Sequence, residues 1–402
     1  LYLASILALD PDTGEYVWHY QTTPGDSWDY TATQHMILAD LVIDGEARKV
    51  LMQAPKNGFF YVIDRETGEF ISAEPFVPVN WASHIDPETG RPVETPGARY
   101  VAGEKVIFPG AWGGHNWHPM TYSPQTGLVY IPLIGNSEWF ANPAEFTFFN
   151  SHLNTALDWE TVMAAPLEAI EEAPLVLARV SAWDPVRQEE VFRIDSGSNW
   201  NAGLLSTAGN LNFQGEASGE FAAYRADNGK HLWSAHAGTG IQAAPISYEV
   251  DGEQYVTVVG GWGGSLGLFH GDPGPSETQE AIGRVLTYKL GPPEAALPPV
   301  EVVELRVPDI ADTDASEDTI RHGATLYLER CSWCHGYNAV GNGSFPDLRY
   351  SASATHSAWN AILLEGAYLS RGMPSFAGVL NEEDAQAIRA YVIREGRAIR
   401  SE

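Results

Sequence analysis

Two groups of residues in the 402-residue chain have the types and spacing to do chemistry. The first is Cys331-Ser332-Trp333-Cys334-His335. This C-x-x-C-H run is the attachment pattern of heme c: two thiols add to the two vinyl groups of one porphyrin, and the adjacent imidazole reaches the iron. A zinc site would need a second ligand pair, and these are the only two cysteines. A thioredoxin-like redox pair would sit in a βαβ context, whereas the flanks here read as helical. The opposite axial position calls for a thioether or an imidazole. Met373 is the only methionine after Met163 and follows His335 by 38 residues, in the loop Arg371-Gly372-Met373-Pro374. It is therefore the candidate second iron ligand, against the alternative of a core filler. His322 and His356 are the rival ligands: the first reads as a solvated helix residue, the second as lying near a helix start.

The second group is spread over the first 290 residues. Pro24-Gly25-Asp26-Ser27-Trp28-Asp29-Tyr30 places two acids beside aromatic rings. A carboxylate in such a dry setting can act as a base. Asp26, next to Gly25, reads as a turn cap, and Asp29 is the better candidate, with a hydrogen-bonded structural turn as its alternative. Lys56, one of five lysines, lies in Ala54-Pro55-Lys56-Asn57-Gly58-Phe59-Phe60. It can offset a developing oxyanion or simply extend its head into water. Gly113-Gly114-His115-Asn116-Trp117-His118-Pro119 gathers amide, indole and imidazole groups, and Gly260-Gly261-Trp262-Gly263-Gly264 lets backbone approach a planar ligand. His115 and His118 alone make a weak metal site.

The elements that must carry these groups differ between the two parts. Ala8-Leu9-Asp10-Pro11-Asp12-Thr13-Gly14-Glu15-Tyr16-Val17-Trp18 and Ala223-Tyr224-Arg225-Ala226-Asp227-Asn228-Gly229-Lys230-His231-Leu232-Trp233 share one eleven-residue spacing, with looser copies from Val62, Thr121 and Ala182. A turn of this kind between apolar runs is a hairpin signal. The intervals, about 40 to 60 residues, suit four-stranded propeller blades. About five blades are expected before residue 290. The Trp after the turn is expected to pack against a neighbouring unit. Pro292, Pro293, Pro298 and Pro299 then break regular structure, and the stretch to Ala315 reads as an acidic linker. Beyond it, Asp314 or Ser316 can cap a helix carrying Ile320, Gly323, Ala324 and Tyr327 on one face. A last helix is expected from Asn381 with Ala385, Ile388, Tyr391 and Val392 as its stripe.

Composition narrows the function. With 23 Lys and Arg against 52 Asp and Glu, the net charge of −29 argues against a nucleic-acid partner, whose phosphates need cationic side chains. No run of about 18 apolar residues is present, so no integral membrane segment is expected. The chain opens Leu1-Tyr2-Leu3-Ala4-Ser5, inside what reads as a strand. A propeller ring closes by pairing its last blade with its first, so a fragment lacking N-terminal blades is the expectation.

Residues 316–402, with the C-x-x-C-H run, Pro346 and Met373, resemble a class I cytochrome c domain. The resemblance implies that the Pro346 carbonyl braces the His335 imidazole and that Gly323 and Tyr327 meet the last helix near Tyr391. Over nearly its whole length the chain resembles the quinohemoprotein alcohol dehydrogenases, on Thr23-Pro24-Gly25-Asp26-Ser27-Trp28-Asp29-Tyr30, Ala54-Pro55-Lys56-Asn57-Gly58, His115-Asn116-Trp117-His118-Pro119, Trp200-Asn201-Ala202-Gly203 and Gly261-Trp262-Gly263-Gly264. The implied fold is a mainly β propeller, eight-bladed in the family with its N-terminal blades absent here, followed by a small all-α cytochrome c domain. Its expected boundaries are residues 1–290 for the propeller, 291–315 for the Pro-rich linker and 316–402 for the heme domain. The implied cofactors are pyrroloquinoline quinone (PQQ), heme c and calcium. By resemblance, Asp29 is the catalytic base and one calcium ligand, and Lys56 hydrogen-bonds the quinone oxygens. Asn116, Trp117 and Gly260 contact PQQ, and Trp262 lines the site. Cys331 and Cys334 hold the heme, and His335 and Met373 bind its iron. Lanthanide-dependent relatives carry an extra Asp two residues after the base; Thr31 stands there in this chain and favours calcium. The expected activity is oxidation of a small alcohol to an aldehyde, with electrons passing from PQQ to heme and on to a soluble periplasmic copper protein or cytochrome. The alternatives are an electron-transfer or scaffold protein with an inactive propeller, and a PQQ dehydrogenase for sugars or polymeric alcohols. The remaining calcium ligands and the Trp that stacks on PQQ belong to N-terminal blades in the family, so this chain alone is expected to be inactive.

Overall fold

The computed structural model describes residues 1–148, 154–165, 178–196, 200–261, 282–291, 297–299, 308, 312–341 and 345–399. The hairpin turns form for a local reason. The Asp10 carboxylate accepts the amides of Asp12 and Thr13, at 3.0 and 2.9 Å, and Gly14 takes φ +74°. Asp64 with Thr67 and Gly68 repeats this arrangement, as does Asp86 with Thr89 and Gly90. An Asp side chain bonding the backbone ahead of it, closed by a residue that tolerates positive φ, fixes the reversal without help from the rest of the fold. The Asp86 turn is a further copy that the period alone passes over, although Asp86-Pro87-Glu88-Thr89-Gly90 carries the same signature.

These turns join antiparallel strands: β1 (Ser5–Leu9), β2 (Tyr16–Gln21), β3 (Met36–Ile43), β4 (Glu46–Gln53), β5 (Phe59–Asp64), β6 (Phe70–Pro75), β7 (Ala82–Ile85), β8 (Pro92–Glu94), β9 (Lys105–Ile107), β10 (Thr121–Ser123), β11 (Leu128–Leu133), β12 (Glu138–Phe140), β13 (Arg179–Asp184), β14 (Glu189–Asp195), β15 (Leu204–Thr207), β16 (Leu211–Gly215), β17 (Glu220–Arg225), β18 (His231–His236), β19 (Ile246–Val250), β20 (Glu253–Gly260) and β21 (Arg284–Lys289). Among the described residues, β3–β6, β10-β11-β13-β14 and β15–β18 are four-stranded sheets, and β19–β21 is a three-stranded one. These are propeller blades. In β5 and β11 the strand core is buried on both faces, from Phe59 to Ile63 and from Leu128 to Leu133. Each is a middle strand packed between neighbours, so the run is continuously apolar rather than alternating. Trp18 packs on the next hairpin: a Cβ placed on Gly68 would lie 2.8 Å from its ring. Trp233 instead meets Phe221 and Tyr288 at 6.0 and 5.1 Å between centroids.

The described residues of Leu1–Asn142, Ala165–Gly260 and Arg284–Leu297 form one compact unit, and those of Pro143–Ala164, Gly261–Gly283 and Pro298–Glu402 form a second. The second unit is helical: α1 (Trp159–Met163), α2 (Glu317–Arg330), α3 (Ser332–His335), α4 (Ser353–Ser357), α5 (Trp359–Leu363) and α6 (Glu382–Ala398). Ser316 caps α2 by accepting the Thr319 amide at 3.1 Å. Asn381 and Asp384 form a reciprocal capping box at the start of α6. Gly323 lets α2 and α6 cross closely, since a Cβ there would lie 2.0 Å from the Ala387 carbonyl oxygen. Tyr327 meets Tyr391 at 5.2 Å. The Gly323 and Tyr327 contacts with the last helix are those that the cytochrome resemblance implies. His322 lies on the outer face of α2, where its Nε2 meets Asp384 at 3.1 Å.

Candidate functional site

The loop between β2 and β3 shows how a sequence turns one acid outward. Asp26 is the cap: its carboxylate accepts the amides of Trp28 and Thr31, both at 3.0 Å. Burial pushes this carboxyl above its ordinary range, against the amides of Trp28, Thr31 and Tyr30 that hold it down. Trp28 and Tyr30 are fully buried. Their rings lie 5.5 Å apart and stand 4.9 and 5.4 Å from Trp81. Their polar ends are satisfied: Trp28 Nε1 donates to the Ala98 carbonyl at 2.9 Å and Tyr30 Oη to the Pro109 carbonyl at 2.8 Å. With both neighbours directed inward, Asp29 is left facing out, and its side chain is 70% exposed. Its backbone has φ +61° and that of Thr31 has φ +53°, a region that favours glycine and that Asp enters more readily than a β-branched Thr.

Lys56 reaches the same point from the β4–β5 connection. Its side chain is only 11% exposed, and Nζ donates to the Asp29 carbonyl at 2.8 Å and to Oδ2 at 3.2 Å. Asn57, fully buried, fixes the turn by donating to Thr23 Oγ1 and Tyr61 Oη, while its own carbonyl accepts Trp81 Nε1 at 2.8 Å. The structure thus brings Asp29 and Lys56 together, and the alternative of a lysine head in free solvent does not hold. The 113–118 loop lies against Lys56: the Gly114 amide donates to the Lys56 carbonyl at 3.0 Å, and a Cβ on Gly113 would come within 2.5 Å of Lys56 Cα.

Asn116, on that loop, is nearly buried. Its Nδ2 donates to the Trp112 carbonyl at 2.8 Å and its Oδ1 accepts the Trp117 amide at 2.7 Å. This fixes the amide and leaves one N–H on Nδ2 for a further acceptor. Trp117 is 46% exposed and stacks on His118 at 4.0 Å. His115 has both ring nitrogens 2.6 Å from carbonyl oxygens, of Ala54 and His118, so neither is available to a metal. His118 is buried between Trp117 and Trp200, which pushes its imidazole down to about 3. The pair is a brace for the loop. Gly260 ends β20, and a Cβ placed there would lie 3.1 Å from Thr239 Cγ2. Trp262 lies outside the described residues.

Two charged residues that the motifs did not single out adjoin this loop system. Glu138 takes the Ala111 amide at 3.0 Å and Asn136 Nδ2 at 3.2 Å; burial pushes its carboxyl up, and the charge of Lys56 pulls it back. Arg99 grips the Asp29 loop from the far side. No local pattern marks either one. The only prior signal is the scarcity of cations, 23 Lys and Arg in 402 residues.

A quinone fits these residues on the chemistry of the donors: Lys56 keeps one N–H beyond the two spent on Asp29, Asn116 keeps another, and Asp29 is open to solvent. A hard cation with six to eight oxygen ligands does not fit the described residues alone. Among them no group of three or more His, Cys, Asp or Glu is placed to hold a metal ion.

In the helical unit, Cys331 caps α2 at its C-terminus and begins α3, so the C-x-x-C-H run forms a single turn. Cys331 is buried, which pushes its thiol up to about 12, and Cys334 is exposed. His335 Nδ1 donates to the Pro346 carbonyl at 3.2 Å. This fixes the tautomer and leaves the Nε2 lone pair for an iron. Burial also holds this imidazole below its ordinary range, in the neutral form that ligates. Met373 follows Gly372, at φ +90°, and packs on the apolar cluster that contains Cys331, Tyr327, Trp359 and Phe376. A heme fits these residues. His356 stacks on Trp359 at 5.6 Å and 12° inside α4, as a core residue. No helix among the described residues is long and apolar enough to cross a membrane.

Residues 1–93 and 175–256 match the family model of the glucose/ethanol/alcohol dehydrogenase β-propeller domain, and residues 318–392 match that of cbb3-type cytochrome c oxidase subunit III. The quinohemoprotein alcohol dehydrogenase ADH IIB of Pseudomonas putida is 45% identical over 98% of this chain and 56% of its own length. The solved structure of ADHIIG from P. putida HK5 superposes with a TM-score of 0.86 at 42% identity, covering all of this chain and 59% of that one. That of the Comamonas testosteroni quinohemoprotein alcohol dehydrogenase gives 0.82 at 40%, over 99% and 58%. The chain therefore spans a little over half the length of the relatives it matches. With a dehydrogenase propeller and a cytochrome c domain joined in that order, the chain is similar along its entire length to the quinohemoprotein alcohol dehydrogenases.

Proposed function

We propose that the full-length protein oxidises small alcohols to aldehydes with PQQ and delivers the electrons through heme c to a periplasmic copper protein or cytochrome. The reading rests on one observation above the others: an exposed carboxylate, Asp29, paired to a buried ammonium, Lys56, at 3.2 Å on a loop of imposed conformation. In this reading residues 1–290 are the propeller, 291–315 the linker and 316–402 the heme domain.

When bound, PQQ would supply the acceptor for a hydride equivalent from the alcohol carbon, and heme c would supply a one-electron carrier. Asp29 receives the alcohol proton on Oδ1, the oxygen that Lys56 leaves open. Lys56 orients the carboxylate through Oδ2 and the Asp29 carbonyl, and its third N–H offsets negative charge on the quinone oxygens. Removing one such donor from a dry site costs on the order of 10²- to 10³-fold in rate. Asn116 and Trp117, with Gly260 and Trp262, supply the remaining contacts to the planar ring. Asp29 contributes one ligand to a calcium whose other ligands come from elsewhere in the full-length protein. Cys331 and Cys334 would anchor the heme, and His335 and Met373 would bind its iron.

Asp29→Asn in the full-length holoenzyme tests the proposal. General-base loss lowers turnover by about 10²- to 10⁴-fold, while the heme spectrum stays unchanged. Turnover within a few-fold of the parent would remove Asp29 from the reaction.

A further inference from the structure

We infer that Arg99 is the positioning residue of the Asp29 loop, a role that rests on the reading of Asp29 as the base. Arg99 lies in the β8–β9 connection, some seventy residues from the loop it grips. A guanidinium has five N–H donors in a fixed fork, and all five are spent here. Nε and one Nη2 hydrogen hold the two oxygens of Glu94, with Nε to Oε2 at 2.9 Å. The other Nη2 hydrogen goes to the Pro24 carbonyl at 3.1 Å. The two on Nη1 go to the Gly25 carbonyl and to Ser27 Oγ, the latter at 3.0 Å. The guanidinium carbon also lies 5.1 Å from the centre of the Trp28 ring. Tyr100 adds a hydrogen bond from its hydroxyl to the Ser27 carbonyl.

The consequence follows from the backbone. Asp29 and Thr31 both sit at positive φ, a region that is unfavourable for side-chain-bearing residues. Such a loop relaxes unless both of its ends are held. Asp26 and Lys56 hold the end nearest Thr31, and Arg99 with Glu94 holds Pro24 to Ser27. Glu94 orients the fork from behind, so the pair acts as one clamp. A lysine at position 99 would keep the charge and the ring contact, yet it has three donors on one atom and cannot bridge five acceptors.

The test uses the full-length protein with Arg99→Lys and Ser27→Ala, alongside Asp29→Asn and Arg48→Lys. Arg48 makes a comparable ion-pair contact with Asp64 and Glu69 inside another part of the propeller. In Arg99→Lys, kcat is expected to fall about 10- to 100-fold, the size of effect that a misplaced reacting group produces. The KM for alcohol and the heme spectrum stay unchanged. In the apo protein, amides of residues 24–31 exchange with solvent at least about tenfold faster while those of β5 do not. Ser27→Ala, which removes one of the five acceptors, gives a smaller change in the same two readouts, and Arg48→Lys gives neither. Unchanged kcat and unchanged exchange in Arg99→Lys would overturn the inference, as would equal acceleration in β5, the mark of a merely structural residue. If Asp29→Asn keeps its turnover, the reading of Asp29 fails independently of Arg99. If Asp29→Asn is inactive and Arg99→Lys is not, the positioning role alone fails.

Discussion

Gly323→Ala sets two known effects against each other in the cytochrome unit. Alanine is the better helix former, by about 1 kcal/mol, and Gly323 sits inside α2 at an ordinary helical φ. Propensity alone therefore calls for stabilisation. The structure gives the opposite sign. An added Cβ would stand 2.0 Å from the Ala387 carbonyl oxygen and 2.4 Å from its carbon, where ordinary contact begins at 3.4 Å. Both atoms are backbone in the middle of α6, so no side chain can swing away. The helices must separate by about 1.4 Å, and a gap of 0.5–1 Å already forfeits a quarter to a half of a dispersion contact. Ile320, Tyr327, Ile388 and Tyr391, all buried in this seam, lose packing together. Overpacking of this kind costs about 1–3 kcal/mol, and the steric mismatch here puts Gly323→Ala at the upper end. Subtracting the propensity gain leaves a net loss of about 2 kcal/mol. Urea unfolding of the full-length holo protein, followed by heme absorbance, reads this as a lower midpoint with an unchanged slope. A midpoint equal to or above that of the parent would show that the α2–α6 crossing is looser than described and refute the reasoning.

Gly113→Ala and Gly127→Ala form a matched pair. Both residues are at positive φ, +81° and +70°, so each substitution carries about 1–2 kcal/mol of left-handed strain, but the new Cβ meets Lys56 in the first and open space in the second. Denaturant titration should give Gly113→Ala an additional loss of about 1–3 kcal/mol, and only this variant should also lose alcohol turnover. Met373→Ala should remove the sulfur–iron absorption band at the red edge of the spectrum while leaving the heme attached; a spectrum that the substitution leaves unchanged would remove Met373 from the iron.

What could be read in advance divides along the range of the interactions. The turns and the helix starts near Ser316 and Asn381 are settled within a few residues, so spacing reveals them, although it left Asp314 and Ser316 both open as the cap; the pairing of Gly323 and Tyr327 with the last helix was implied by the cytochrome c resemblance. The C-x-x-C-H run is equally local. Asp29 left two readings open because its role depends on what lies across from it, and Lys56 is 27 residues away. Arg99 and Glu138 were illegible for the same reason. Their partners lie 72 and 27 residues distant and share no motif with them. The Trp after the hairpin turn illustrates the middle case: packing against a neighbour was predictable, but Trp18 meets a glycine and Trp233 a cluster of rings.

The conformation of the 24–31 loop carries its own argument. Gly25, Asp29 and Thr31 all lie at positive φ. Glycine bears this freely. At Asp29 and Thr31 the cost is about 1–3 kcal/mol each, and a loop selected for stability alone would place glycine there. The surrounding bonds from Asp26, Lys56, Arg99, Tyr30 and Trp28 offset that strain, which means the fold spends much of its local hydrogen bonding on keeping an acid in an unfavourable backbone state. The residue so held is exposed and is the one in contact with Lys56. Relieving the strain with Asp29→Gly would remove the carboxylate, and relieving it by loosening the clamp would keep the carboxylate but let it leave Lys56. The structure does neither, and that arrangement is what the proposed role of Asp29 as a base requires.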